Sequence, residues 1–180
     1  MKHTLVLSLL LFASSFANAQ LLVSKNTTVS FFSSTVLEDI EATSQVASSA
    51  IDSKTGDLLF KVSNTSFKFR KKLMQEHFNE NYMESDKFPY SEFKGKIEGP
   101  FDATKDGNYK VKVNGNLSVH GITKPYTAPA ELNVSNGTVS ASASFKVRIA
   151  DHGIKIPSLV FKNIAEFVTV KVQAVYPPKK

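Results

Sequence analysis

The chain has 180 residues, no cysteine and a formal net charge of +6. Without cysteine it has neither disulfides nor thiolate ligands, which excludes a disulfide-stapled scaffold and a cysteine-ligated metal centre. The basic residues mostly alternate along predicted strands, as on a solvated surface, so the charge does not indicate nucleic-acid binding.

The N-terminal segment predicts export. Lys2 precedes a largely apolar run at residues 5–16, and Ala17-Asn18-Ala19 has the small-x-small form of a signal-peptidase site. The run is shorter than the roughly 20 apolar residues needed to cross a bilayer. We therefore expect a signal peptide over residues 1–19, cleaved after Ala19. The mature domain, residues 20–180, is then periplasmic or secreted and has no transmembrane segment.

The next part of the chain predicts strand, then helix. Apolar side chains alternate between residues 58 and 69, but their parity changes after Val62, so we expect a β-bulge at residues 64–66. Residues 71–83 place apolar side chains at i, i+4 and i+8, which predicts a short amphipathic helix. Three carboxylates share its other face, and this spacing is typical of a solvated stripe: Glu76, Glu80 and Glu84.

Period-two alternation dominates the rest of the chain. It covers residues 93–101, 109–119, 139–149 and 168–176, and it predicts strands with one buried and one solvated face. Turn-forming residues lie between the alternating runs, so neighbouring strands are expected to be antiparallel. These turns are predicted at residues 54–57, at Asp106-Gly107, at residues 121–125 and at Asn136-Gly137.

A long sheet with one apolar face has to close or stack. Strands in hairpin order favour an all-β, antiparallel closed barrel of about eight strands, with the helix capping one end. Small residues on the inner face leave two interpretations open: an open pore, or a packed core in which small side chains oppose large ones. The small residues are Gly95, Gly115, Ala141 and Ala143, beside Phe93, Phe101 and Phe145.

Catalytic and metal-binding alternatives rest on three histidines of the mature chain, His77, His120 and His152. They show no His-x-x-x-His or other metal-ligand spacing, and there is no Gly-x-Ser-x-Gly nucleophile motif. The sequence therefore predicts no metal site and no enzyme. The alternatives are an enzyme or metal-binding protein that uses His77, Glu80 and His120, and a structural surface protein without a ligand.

Several spaced motifs occur between residues 73 and 157. They are LMQEHF at residues 73–78, YMESDKFP at 82–89, FKG at 93–95 and GNLSVHGITKP at 115–125. A last segment, residues 145–157, contains Asp151, Gly153-Ile154 and Pro157. Together these motifs resemble the YceI-like family of bacterial exported proteins. Because the match spans separate parts of the chain, it is more specific than any one motif.

This resemblance implies a lipocalin-like barrel with a helical cap whose pore encloses a polyisoprenoid or quinone-like lipid. The expected partner is a lipid, and no cofactor is expected. A transient membrane contact stays open, and the protein can be a monomer or a homodimer. Its role can be storage, transport or stress protection. Inner-face positions become candidate contacts for the apolar tail. They are Phe60, Val62, Phe67, Phe69, Met74, Phe78, Phe93, Ile97, Val113, Leu117, Val119, Ala141, Ala143, Phe145, Val147 and Val170.

Overall fold

A computed structural model describes residues 21–157 and 163–178. The predicted signal peptide lies outside the described residues. The strands are β1 (Leu21–Ser34), β2 (Asp39–Asp52), β3 (Asp57–Ser63), β4 (Lys68–Phe69), β5 (Tyr90–Glu98), β6 (Gly107–Val119), β7 (Ile122–Ser135), β8 (Thr138–Arg148) and β9 (Phe167–Tyr176). The α-helix α1 (Lys72–His77) continues as a π-helical turn, Phe78–Tyr82. The helix predicted at residues 71–83 is therefore present, with its second half wound more loosely.

The sheet closes on itself. Its strands follow the order β1-β9-β8-β7-β6-β5-β3-β2, and β1 also pairs with β2, while the two-residue β4 adds to β2. Every neighbouring pair is antiparallel. The predicted eight-stranded antiparallel barrel is confirmed, and each of these eight strands pairs with two neighbours.

The first two strands were not predicted from the sequence, because hydroxyl side chains occupy inward positions. Ser24, Ser44 and Ser49 are buried, so the apolar alternation that usually marks a strand is missing. These hydroxyls find partners inside the barrel. Ser24 Oγ lies 3.0 Å from Thr27 Oγ1, and Ser49 Oγ lies 2.6 Å from the Tyr176 hydroxyl. Buried hydroxyl groups in hydrogen-bonded pairs avoid the cost of lost hydration.

The predicted bulge at residues 64–66 is wrong in form. The chain leaves β3 in a 3₁₀ turn, Asn64–Ser66, and rejoins β2 as β4, which inserts more than the single residue of a bulge. Asn64 is fully buried and holds this turn. Its backbone N–H donates to the Pro89 carbonyl at 2.9 Å, its Nδ2 to the Phe88 carbonyl at 2.6 Å, and its Oδ1 accepts from Ser91 Oγ at 2.8 Å. These hydrogen bonds join residues far apart in the sequence, so the alternation of apolar residues along the strand could not reveal them.

The predicted turn at residues 121–125 is shorter than expected. His120 and Gly121 alone form it, with φ of 49° and 72°, and β7 begins at Ile122. Pro125 and Pro129 therefore lie inside a strand. They are tolerated because β7 pairs with β8 only from Ala130 onward, so among the described residues this half of β7 has no ladder partner on its β8 side. The barrel wall is split here.

The barrel interior has a packed end and an open end. A cluster that includes Ile51, Leu132, Val139 and Tyr176 fills the end near the β7–β8 turn. A second cluster, rich in phenylalanine, lies toward α1. Among residues 21–157 and 163–178 the structure shows no helix long and apolar enough to cross a membrane.

Gly95 and Gly115 do not leave space for a pore. They face each other across β5 and β6, and a Cβ added to Gly95 would lie 2.4 Å from the Asn114 carbonyl oxygen and 2.7 Å from the Phe93 ring. The Phe93 ring therefore covers the glycine pair. These two residues are small because the backbones of β5 and β6 approach closely here and the Phe93 ring packs over them. At these two positions the open-pore interpretation is therefore wrong.

Candidate functional site

A cavity of about 470 Å³ occupies the open half of the barrel beneath α1. Its lining is mainly apolar and comes from most of the strands, from α1 and from the segment after β8. The volume is within the range of about 300 to 1,000 Å³ typical of ligand sites. Several aromatic and aliphatic lining residues are only half-buried, because their inner faces border this space: Phe60, Phe93, Phe145, Val168, Val170 and Val172.

All the predicted tail-contact residues except two line this cavity. Ile97 and Ala141 lie instead in the packed end, where Ile97 is buried in the cluster that contains Ile51 and Val139. Both share the inward parity of the lining residues. Parity tells which face a side chain occupies, but not how far along the barrel the core stops and the space begins. The residues on the cavity wall are Phe60, Val62, Phe67, Phe69, Met74, Phe78, Phe93, Val113, Leu117, Val119, Ala143, Phe145, Val147 and Val170.

Four phenylalanine rings form one wall and hold the cap in place. Phe78 of the π-helical turn lies 5.4 Å from Phe31, 5.6 Å from Phe67 and 5.1 Å from Phe69, measured between ring centroids. Phe31 also contacts Phe67 and Phe69 at 5.3 and 5.7 Å. Such offset and edge contacts add to the free energy of burying each ring. The cap is thus anchored by the same apolar surface that lines the cavity.

Several lining residues were missed by the sequence analysis. Val29, Phe31 and Ser33 of β1 alternate correctly, but the adjacent Phe32 hides the period. Val168 and Val172 share the face of Val170 and were available from the alternation already recognised. Leu58 and Ile149 likewise lie in alternating runs already recognised. Other missed positions needed the tertiary fold: Ile40, Tyr126, Ala128, His152, Ile154, Ile156 and Ile164.

A buried polar group bridges the split in the barrel wall. His152 is fully buried at the end of the 3₁₀ turn that follows β8. Its Nδ1 lies 2.9 Å from the Ile122 carbonyl and therefore donates, which leaves Nε2 to accept from the Tyr126 hydroxyl at 3.2 Å. The two rings stack with a centroid distance of 5.8 Å. Burial first, and then the Asp151 charge, raise the pKa of Tyr126.

His120 joins this bridge to the helical cap. Its Nδ1 lies 3.2 Å from the His152 carbonyl, and its Nε2 lies 2.9 Å from Glu84 Oε2. Hydrogen bonds from Lys87, and then from His120, lower the pKa of Glu84. The histidine therefore ties the residues after the cap to the β6–β7 turn. The part of the chain that the structure describes contains no group of three or more His, Asp or Glu side chains placed to hold a metal ion.

The rim of the cavity carries a second set of polar contacts. Glu38, which follows β1, accepts from Lys71 Nζ at 2.8 Å and from Asn163 Nδ2 at 3.3 Å. These hydrogen bonds, the Lys71 bond foremost, lower the pKa of Glu38. Ser33 Oγ accepts from the Ala165 N–H at 2.9 Å. The β1–β2 turn, the start of α1 and the segment before β9 therefore meet at the mouth.

The sequence that forms this closed barrel, helical cap and apolar interior also matches a known protein family. The family model for the YceI-like domain matches residues 16–176. The chain belongs to the YceI-like family. The resemblance found in the sequence motifs is thereby confirmed, and the match includes the two N-terminal strands in which no motif was recognised.

Solved structures share this YceI-like fold at low sequence identity. A polyisoprenoid-binding domain from Saccharophagus degradans aligns with a TM-score of 0.74 and 14% identity, over 88% of this chain and 98% of that one. BcnA of Burkholderia cenocepacia aligns with 0.71 and 15%, over 84% and 96%. A YceI protein of Campylobacter jejuni aligns with 0.58 and 15%, over 100% and 91%. No protein of curated function matches the chain at significant similarity.

Proposed function

We propose that this YceI-like protein is a non-enzymatic binding protein, periplasmic or secreted, that holds a polyisoprenoid or another long apolar lipid in its barrel. The observation that carries the proposal is the cavity of about 470 Å³ with an almost wholly apolar lining. Moving a hydrocarbon chain from water into such a site yields about 0.8 kcal/mol for each methylene buried. The binding of polyisoprenoid by a structural neighbour supports the same ligand class.

Polar groups of the cavity are placed to orient a ligand. The Tyr126–His152 pair contacts the space from the split wall, while Glu38 and Lys71 lie at the mouth. Aliphatic and aromatic side chains fill the surface between these two places. An amphiphile with one polar end would leave that end beside one of these groups and bury its chain among the rings.

Native mass spectrometry of freshly purified protein tests this function. We expect a bound mass that disappears after extraction with organic solvent, and a fluorescent polyprenyl probe that binds the extracted protein. A probe that fails to bind the extracted, folded protein would contradict the proposal. For the export part, the intact mass of protein recovered from outside the cytoplasm should correspond to a chain that begins at Gln20.

A further inference from the structure

The turn between β1 and β2 exposes two aliphatic side chains beside the cavity mouth. Val36 is 100% exposed and Leu37 is 61% exposed. Turn tips are usually occupied by Gly, Asn, Asp or Ser, whose side chains are solvated or hydrogen-bonded. Two neighbouring aliphatic residues in this position leave apolar surface in water that no residue of the described ranges 21–157 and 163–178 covers.

Hydrogen bonds stabilise this turn and connect it to the cavity rim. Thr35 Oγ1 accepts from the backbone N–H of Leu37 at 3.2 Å and of Glu38 at 3.1 Å, and the Thr35 N–H donates to the Glu38 carbonyl at 3.1 Å. The Glu38 carboxylate then binds Lys71 at the start of α1. These hydrogen bonds brace the turn, while the Val36 and Leu37 side chains remain exposed to solvent.

Further apolar surface lies across the mouth. Leu73, in the first turn of α1, is 60% exposed and also lines the cavity. Glu38 and Ile40 of the β1–β2 region also line it, and Glu38 is joined to Lys71 at the start of α1. The tip residues and Leu73 therefore lie beside the same part of the cavity rim.

The same rim is basic. The sequence KFRKKL at residues 68–73 places Lys68, Arg70, Lys71 and Lys72 next to one another, and all four side chains are exposed. Arg70 has no ion pair among the residues that the structure describes. Lys71 pairs with Glu38, and Lys72 pairs with Glu76 at 3.6 Å within the helix. Asp39 accepts from the Ser34 hydroxyl at 2.6 Å. Surfaces that bind anionic bilayers typically combine exposed aliphatic residues with neighbouring lysine and arginine.

We infer that this rim docks on an anionic lipid bilayer, with Val36, Leu37 and Leu73 inserted at the interface and the basic residues over the headgroups. The cavity mouth then faces the membrane. An apolar chain can pass between bilayer and barrel without crossing water, where exposure of its surface is costly. The docking follows from the rim alone, whereas the passage of a lipid rests on the proposed function.

Flotation of the mature protein with vesicles tests the docking. We expect binding to vesicles of phosphatidylcholine with phosphatidylglycerol that weakens at high salt, since surface charge attraction is screened. The double variant Val36→Ser/Leu37→Ser should lower the fraction bound by about tenfold. Val46→Ser is the matched control, because Val46 is 65% exposed in the middle of β2, away from the mouth.

A fluorescent reporter tests insertion directly, because the chain contains no tryptophan. Leu37→Trp should show a blue-shifted emission when anionic vesicles are added, and Val46→Trp should not. The charge contribution is tested by Arg70→Gln/Lys72→Gln, which should weaken binding to the anionic vesicles. Its control is Lys110→Gln/Lys112→Gln on β6, toward the packed end.

Two measurements separate this inference from the proposed function. The Val36→Ser/Leu37→Ser variant should bind a soluble fluorescent polyprenyl probe as tightly as the parent protein while taking it up more slowly from vesicles. A parent protein that floats with vesicles but binds no probe supports docking and contradicts the lipid-carrier function. A parent protein that does not float overturns the docking. Self-association abolished by the same double variant, without flotation, would overturn it in favour of a protein contact.

Discussion

The Tyr126 hydroxyl donates to His152 Nε2 across 3.2 Å, and the pair closes the part of the wall where β7 and β8 do not pair. His152 also donates through Nδ1 to the Ile122 carbonyl. The His152 side chain thus links β7 to the segment after β8 in the region where the two strands have no backbone pairing.

Replacing His152 with alanine should destabilise the fold by about 2–4 kcal/mol, since it removes a fully buried side chain and leaves the Ile122 carbonyl without its donor. Urea denaturation followed by circular dichroism measures the change. His77→Ala is the control, because His77 is exposed on the helix and should change the free energy of unfolding by less than about 0.5 kcal/mol. Equal denaturation midpoints for the two variants would contradict this role of His152.

Ala143 and Ala141 provide a matched pair on one strand. Ala143 lines the cavity, whereas Ala141 packs against the core of the closed end. Ala143→Phe should fill ligand space, keep its stability and weaken binding of a fluorescent polyprenyl probe by about tenfold or more. Ala141→Phe should instead overpack the core and cost about 1–3 kcal/mol. The cavity assignment fails if Ala143→Phe loses stability while the folded fraction binds the probe normally.

Ionisation of the buried Tyr176 hydroxyl should lower the stability of the fold at high pH. Burial raises its pKa to about 12, although the hydrogen bond with Ser49 acts in the opposite direction. Because the folded pKa lies above the unfolded value of about 10, this stabilisation is complete below about pH 10 and is lost as pH rises toward 12. The free energy of unfolding should fall by about 1.4 kcal/mol per pH unit in that window. Urea titrations of the parent and Tyr176→Phe should diverge there, and parallel curves would contradict the assignment.

Asn64 should be intolerant of substitution. Asn64→Ala removes the hydrogen bonds to the Phe88 carbonyl and from Ser91 in a fully buried site, which should cost about 2–4 kcal/mol. Asn116→Ala, at an exposed position of β6, is the control and should be nearly neutral. Thermal unfolding compares the two. A small effect at Asn64 would mean that the 3₁₀ turn holds its shape without this side chain.

Much of the barrel could be predicted because its signal is local. Alternation on β6, β8 and β9, together with Asn136-Gly137, identified strands and a hairpin from neighbouring residues. The strands β1 and β2 were missed because Ser24, Ser44 and Ser49 face inward as hydrogen-bonded hydroxyls. Two of these hydroxyls have partners far along the chain, Ser44 with Ser66 and Ser49 with Tyr176.

On β6, β8 and β9 the sequence by itself determined which side chains face the interior, since parity along a strand follows from the pleat alone. It also determined the helical cap and the family, through motifs in several parts of the chain. Only the tertiary structure decided the depth at which the interior changes from core to cavity, which separates Ala141 from Ala143. It alone brought Tyr126 to His152 and Glu38 to Lys71. These contacts depend on strand stagger and on chain segments far apart in sequence, and no local pattern encodes either.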